Sequence, residues 1–199
     1  GYATGIFGKW HLGDSYPMRA IDQGFDEALI HRGGGLAQPS DHPENDMRYT
    51  NPWLYHNGEP VKTKGFCTDT YFTAAMKYIK KQKKADKPFF AYIATNAPHN
   101  PLHDVPEELY QKYLKRPLED LNVPPLTGDK AVKNRDDVAR IFAMVENTDQ
   151  NIGRLFTFLD KEKLTENTLV IYLNDNGPWT MRKANISSIL ESCLSSTYL

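Results

Sequence analysis

Pro88-Phe89-Phe90-Ala91-Tyr92-Ile93-Ala94 is an apolar run with no polar residue alternating through it. A strand with one wet face alternates, whereas a strand buried on both faces, as in a parallel sheet, does not. The run therefore predicts an interior strand. It empties into Thr95-Asn96-Ala97-Pro98-His99-Asn100-Pro101-Leu102-His103, a loop punctuated by two prolines. Upstream, Thr68 or Asp69 can cap a helix whose apolar positions Tyr71, Phe72, Ala75, Met76 and Ile79 share one face. Lys80, Lys81, Lys83 and Lys84 close it, where a helix dipole favours cations. Downstream, Asp104 and Pro106 predict a short helix through about Leu114, with proline in the first turn.

Further out, Val138, Val145, Ile152 and Leu159 recur every seven residues, flanked by Ile141, Phe142, Leu155 and Phe156. That pattern predicts an amphipathic helix over 134–159. Thr168-Leu169-Val170-Ile171-Tyr172-Leu173 predicts a second buried strand, ending in Asn174-Asp175-Asn176-Gly177. Residues 1–13 predict a short strand entering a Gly-punctuated loop. Residues 14–66 hold Gly33-Gly34-Gly35 and five prolines, and predict a loop-rich excursion with no core of its own. The order helix, strand, helix, helix, strand predicts an α/β layered domain with a mainly parallel central sheet. From Lys183 onward the apolar pattern weakens, and a glycosylation-type triplet, Asn185-Ile186-Ser187, falls in this tail.

Composition excludes several classes. Of 199 residues, 40% are hydrophobic and 25% charged, which rules out collagen, coiled coil and wholesale disorder. Lys and Arg total 24 against 25 Asp and Glu, so there is no basic footprint for nucleic acid. No apolar run reaches the ~18 to 20 residues of a membrane span. Two cysteines, Cys67 and Cys193, are too few for a disulfide framework. Gly1 to Gly13 carries no basic segment leading an apolar one, and a chain opening in mid-element is expected to be an internal fragment.

In open α/β sheets ligands bind beyond the carboxyl ends of the strands. Three such ends carry apt residues: Lys9 with His11, then His99, then Asp175 with Asn176. One amine, two imidazoles and two hard oxygen ligands suit an oxyanion held against a divalent metal. Each element has a plainer reading. Lys9 and His11 read equally as a surface lysine and a backbone-satisfied histidine, and Asp175-Asn176-Gly177 as a turn. The Gly1 to Gly13 segment is no P-loop, because Ala3 replaces the first glycine and Trp10 follows the lysine. His99 and His103 have helical zinc spacing, but Pro98 and Pro101 exclude the helix, and His103 reads as a solvent or capping residue. Asp149, on the apolar face of the long helix, reads as a hydrogen-bonded anchor.

Together these segments resemble the type I, formylglycine-dependent sulfatases. The resemblance begins with Gly-Tyr-Ala-Thr-Gly-Ile-Phe-Gly-Lys-Trp-His-Leu-Gly at 1–13. It continues through Gly24-Phe25-Asp26, Tyr71 to Ile79, Pro88-Phe89-Phe90, Ala97 to Leu102, Asp149 to Leu155, and Asn167-Thr168-Leu169-Val170 to Gly177. It implies an alkaline-phosphatase-like α/β fold incomplete at both ends, with 1–180 the middle of a catalytic domain and 181–199 a divergent tail outside the fold. It implies hydrolysis of aryl or carbohydrate sulfate esters. Lys9 would neutralise the sulfate. His11 would hydrogen-bond the nucleophile, and His99 would assist the leaving alcohol. Asp175 and Asn176 would bind calcium.

The family nucleophile, a formylglycine made from cysteine in a C-[ST]-x-[PA]-R context, has no counterpart, since Cys67 and Cys193 have other neighbours. The family's aspartate pair is also missing, so the chain alone is expected to be inactive. The expected substrate is a sulfated small molecule or glycan, with Arg19, His31, Arg32, Arg48 and His56 as candidates to line the mouth. A secretory, periplasmic or lysosomal compartment is implied by analogy alone. A phosphomonoester or phosphonate hydrolase of the same fold, or a non-catalytic sulfated-glycan-binding relic, are the alternative readings.

Overall fold

The computed structural model describes residues 1–36, 39–117 and 129–174, the side chains of 129–134 excepted. Two compact units divide it, Gly1–Val105 and Pro106–Leu199.

The first unit is built on one five-stranded sheet. Its strands are β1 (Ala3–Lys9), β2 (Glu27–His31), β3 (Trp53–His56), β4 (Glu59–Lys62) and β5 (Phe89–Ala94). The order is β4-β3-β2-β1-β5. β1 lies parallel to both β2 and β5, whereas β2–β3 and β3–β4 pair antiparallel. The mainly parallel α/β sheet is thus present, and the apolar run at 88–94 supplies one of its strands.

Residues 14–66 depart from expectation. Rather than a loop-rich excursion, they contribute β2, β3 and β4, and bury Leu36, Tyr49 and Leu54. These strands are four or five residues long, too short for periodicity to register. The turn Asn57-Gly58, with φ of 51° and 97°, joins β3 to β4. Asn-Gly between strands tolerates positive φ at both positions and matches the strand twist, which makes it a hairpin signal.

Helix α1 (Cys67–Lys84) covers one sheet face with buried Tyr71, Phe72, Ala75, Tyr78 and Ile79. Its basic last turn stands where expected. Its start does not: Phe66 occupies the N-cap position without a side-chain cap, and Thr68 is already helical. Phe7 of β1 meets Tyr78 with ring centroids 5.5 Å apart. On the opposite face Ile6, Ala28 and Ile30 pack with Ala20, Phe25 and Trp10. β5 is not buried on both faces: Phe90 and Tyr92 are half-exposed. They alternate with Ala91 and Ile93, and only the latter pair shares the sheet face of Phe7.

The second unit pairs α2 (Glu107–Leu114) with α3 (Asp129–Lys161), which runs beyond both predicted ends. Tyr113 and Phe142 meet at 5.3 Å, and Lys112 bonds Glu146 at 2.7 Å. Val138, Ile141, Phe142 and Leu159 of the predicted stripe are buried. Asp149, read as a hydrogen-bonded anchor, is partly buried, and the buried polar residues of this stretch are Asn147 and Asn151. Among the described residues the predicted strand 168–173 joins no sheet, and Leu169, Ile171 and Leu173 are 84%, 67% and 83% exposed. An apolar run supplies side chains for burial, but a strand also needs a neighbouring backbone to complete its hydrogen bonds. Asp175, Asn176 and the 181–199 tail lie outside the described residues. Among the described residues no helix is long and apolar enough to cross a membrane.

Candidate active site

Parallel pairing sends β1, β2 and β5 out of the sheet at the same end. Lys9 is the last residue of β1 and stands opposite His31, the last residue of β2. Gly8 stands opposite Ala94, the last residue of β5. The Gly-rich loop after β1 is pinned to the exit of β2: Trp10 N–H donates to the His31 carbonyl and His11 N–H to that of Arg32, both at 3.1 Å. The Trp10 indole N–H donates to the Met18 carbonyl at 2.9 Å. His11 adopts φ 52°, a left-handed conformation uncommon for a residue with a side chain. Its side chain is exposed.

His99 follows β5 through Thr95-Asn96-Ala97-Pro98, and its N–H donates to the Asn96 carbonyl at 2.8 Å. Its Nδ1 lies 2.6 Å from the Asn100 carbonyl oxygen. A carbonyl only accepts, so Nδ1 carries the proton and Nε2 is left for other work. The segment is anchored from below. The buried Tyr49 hydroxyl donates to the carbonyls of His99 and Asn100. Tyr49 is itself held by Asp104, whose Oδ2 accepts from the N–H groups of Tyr49 and Thr50, each at 2.7 Å. Oδ1 accepts from the Thr50 hydroxyl at 2.8 Å.

His31 is completely buried, and its Nδ1 lies 3.0 Å from the Tyr71 hydroxyl of α1. Burial, followed by the charges of Lys9, His11 and His99, pulls its pKa from 6.5 to about 3. Lys9, His11 and His99 thus all act electrostatically on the neutral His31 imidazole. Burial likewise pushes the Tyr71 hydroxyl well above its usual range. Cys67, buried at the start of α1, donates from Sγ to Asn96 Oδ1 at 3.3 Å, and burial pushes its thiol up to about 12. Such a thiol is a packing residue, not a nucleophile.

Of the residues proposed to line the mouth, His31 alone ends a parallel strand. Arg19 forms a bidentate pair with Asp22 at 2.7 and 2.8 Å. Arg32 lies 3.5 Å over the Tyr55 ring and donates to the Gly58 carbonyl. His56 sits 3.4 Å from Glu27, and Arg48 and His103 are exposed. Sequence reasoning treated His31 as a loop residue, passed over Tyr49, and read Asp104 only as the start of the short helix that follows. The signal for His31 was local: the apolar stretch Ala28-Leu29-Ile30 leads directly into it. Among the described residues no group of three or more His, Cys, Asp or Glu side chains is arranged to hold a metal ion.

A mostly parallel α/β sheet with basic side chains at its carboxyl end is compatible with several α/β classes, and its solved relatives place it in the alkaline-phosphatase-like one. Comparison with known proteins narrows it. The chain belongs to the sulfatase family, whose family model matches residues 1–192. It is 33% identical over 219 residues to an uncharacterised sulfatase of Schizosaccharomyces pombe, covering 89% of this chain and 39% of that one. It is 31% identical over 183 residues to an ulvan-active sulfatase of Formosa agariphila, covering 89% and 33%. Among solved structures, Ps i-CgsB in complex with k-i-k-neocarrahexaose superposes with a TM-score of 0.68 at 30% identity, covering 92% of this chain and 39% of that one. The chain thus spans between a third and two fifths of the length of these relatives.

Proposed function

We propose that the protein of which this chain forms the described part hydrolyses sulfate esters, and that Lys9, His11 and His99 handle the sulfate group. The observation that supports this reading is the common exit of β1, β2 and β5, from whose ends Lys9, His11 and His99 all act electrostatically on His31. The Lys9 ammonium offsets negative charge on the sulfate oxygens, and more so in the transition state. His99, with Nδ1–H committed to the Asn100 carbonyl, offers Nε2. Protonated there, it gives its proton to the departing ester oxygen. His11 exchanges a proton with the attacking group from the opposite strand exit. Sulfated carbohydrates are the substrate class, in line with the ulvan-active relative and the neocarrahexaose complex.

Sulfatases are generally metal-dependent and formylglycine-modified. Calcium at Asp175 and Asn176 belongs to this reading as a family expectation, as does a formylglycine nucleophile. Cys67 does not fit the nucleophile, being buried beneath the site with a raised pKa. The described residues supply no metal cluster, so neither group enters the steps above. With neither cysteine in the C-[ST]-x-[PA]-R context of the family nucleophile, the 199-residue chain by itself is proposed to release no sulfate.

The test is release of sulfate from an aryl sulfate and from a sulfated oligosaccharide, alongside release of phosphate from an aryl phosphate. The complete protein should prefer the sulfates. Lys9→Ala and His99→Ala should each lower kcat by roughly 10²- to 10⁴-fold. Preference for the phosphate ester, or full turnover by either variant, would overturn the reading.

A further inference from the structure

His31 has one ring nitrogen too many for its surroundings. Nδ1 is taken by the Tyr71 hydroxyl, while Nε2 is buried without a hydrogen-bond partner among the described residues. Leaving a buried polar atom unmatched costs about 1 to 3 kcal/mol. The protonation pattern follows from the same cost. If the Tyr71 O–H donates to Nδ1, the ring proton sits on Nε2 and only that N–H lacks a partner. The reverse assignment would strand two groups, the buried Tyr71 O–H and a bare Nε2. The first arrangement is favoured, and it makes Nε2–H a donor awaiting an acceptor.

Where that donor lies is set by register. Lys9 and His31 stand opposite each other on parallel strands, so their side chains leave the same sheet face. Two residues before Lys9 on that face, Phe7 packs on Tyr78 of α1, and His31 itself meets Tyr71 in the first turns of α1. The N-terminus of the 18-residue α1 directs its partial positive charge to this end of the sheet. Lys9 and His11 from the exit of β1 and His99 from the exit of β5 bring the other charges that bear on His31. The side chains whose charges act on His31 are the basic ones Lys9, His11 and His99, while the buried Asp41 carboxylate acts on Tyr71 behind it. The missing partner is an oxyanion.

We propose that His31 is a further anion-contact residue of the site, a neutral imidazole fixed by Tyr71 whose Nε2–H donates to an oxygen of the bound sulfate group. A sulfate monoester carries a single negative charge, which the Lys9 ammonium already matches. A further buried cation would have to be desolvated for little gain, whereas a neutral N–H adds a hydrogen bond without adding charge. The depressed pKa of His31 keeps it in that form. Tyr71 is then a positioning residue, acting through the ring it orients.

The inference rests on the sulfate-ester reading, and the experiment separates the two. Inhibition of the complete protein by inorganic sulfate is measured together with KM and kcat for an aryl sulfate. His31→Leu should weaken inhibition by sulfate roughly 10- to 100-fold, as expected for losing a hydrogen bond to a charged group. His31→Gln, which can place an amide N–H near the same point, should stay within about tenfold of the parent. Tyr71→Phe should fall between them. Should His31→Leu fail to fold, the ¹⁵N spectrum of the parent decides: His31 should show a protonated Nε2 whose resonance moves on adding inorganic sulfate. An unprotonated Nε2, a resonance indifferent to sulfate, or a folded His31→Leu inhibited like the parent would overturn the proposal. A parent that binds sulfate through His31 yet cleaves no sulfate ester would sink the hydrolase reading and leave this one standing.

Discussion

Gly8 of β1 faces Ala94 of β5 so closely that a Cβ at position 8 would lie 2.0 Å from the Ala94 carbonyl oxygen. Gly8 also holds φ +131°, which side chains rarely adopt. It is the residue immediately before Lys9, so the contact sets how the β1 exit sits against the β5 exit. Gly8→Ala should cost about 2 to 4 kcal/mol. The melting temperature should fall by roughly 5 to 15 °C, and turnover should fall with it, since Lys9 must move. A melting curve superimposable on the parent's would show that the two strands can separate without penalty.

Asp104 offers a graded test of the support under His99. Asp104→Ala removes three hydrogen bonds to Tyr49 and Thr50 and should cost about 2 to 4 kcal/mol. Asp104→Asn should cost roughly 1 kcal/mol, because the amide oxygen can still accept from both backbone N–H groups while its NH₂ donates to the Thr50 hydroxyl. Urea unfolding of both variants checks the order. Equal losses would mean that charge rather than hydrogen-bond geometry holds this corner.

His31 predicts a pH dependence of stability. Its folded-state pKa is about 3 against 6.5 ordinarily. Between those values the unfolded chain takes up a proton that the folded one refuses, so protons favour unfolding. The stability linked to His31 is complete above pH 6.5 and is lost as pH falls toward 3. The parent should lose about 1 kcal/mol per pH unit in that window through this group. His31→Gln should lack this contribution, so unfolding at pH 7 and pH 5 should show a larger drop for the parent by about 1 to 2 kcal/mol. Identical drops would mean that His31 is protonated in the folded chain.

Cys67 should resist alkylation at pH 8 in the folded chain and react readily in denaturant, since the thiolate is the reactive species and its thiol is pushed up to about 12. Peptide mapping after iodoacetamide treatment distinguishes it from Cys193. Rapid labelling of Cys67 without denaturant would contradict its burial.

The amino-acid sequence alone determined whatever depends on near neighbours. Residues 67–84 and 134–159 read as helices because their apolar side chains fall on one helical face. Residues 88–94 read as a strand in a parallel sheet because they are apolar throughout, and Lys9, His11 and His99 stood out because they follow strand-like runs. The Asn57-Gly58 hairpin was legible too and was overlooked, since four-residue strands give too few positions for a pattern. Tertiary structure alone decided which strands are neighbours. Pairing β1 with β2 on one side and β5 on the other, at sequence separations of about 22 and 86 residues, turned His31 from one loop residue among several into the partner of Lys9. It also decided that Phe90 and Tyr92 are half-exposed and that 168–173 joins no sheet among the described residues. Hydrophobicity states that a side chain favours burial, but not which distant segment will cover it. Nor can it show that Asp104 would hold His99 through Tyr49, because a hydrogen-bond relay between residues some 50 positions apart exists only once the chain has closed on itself.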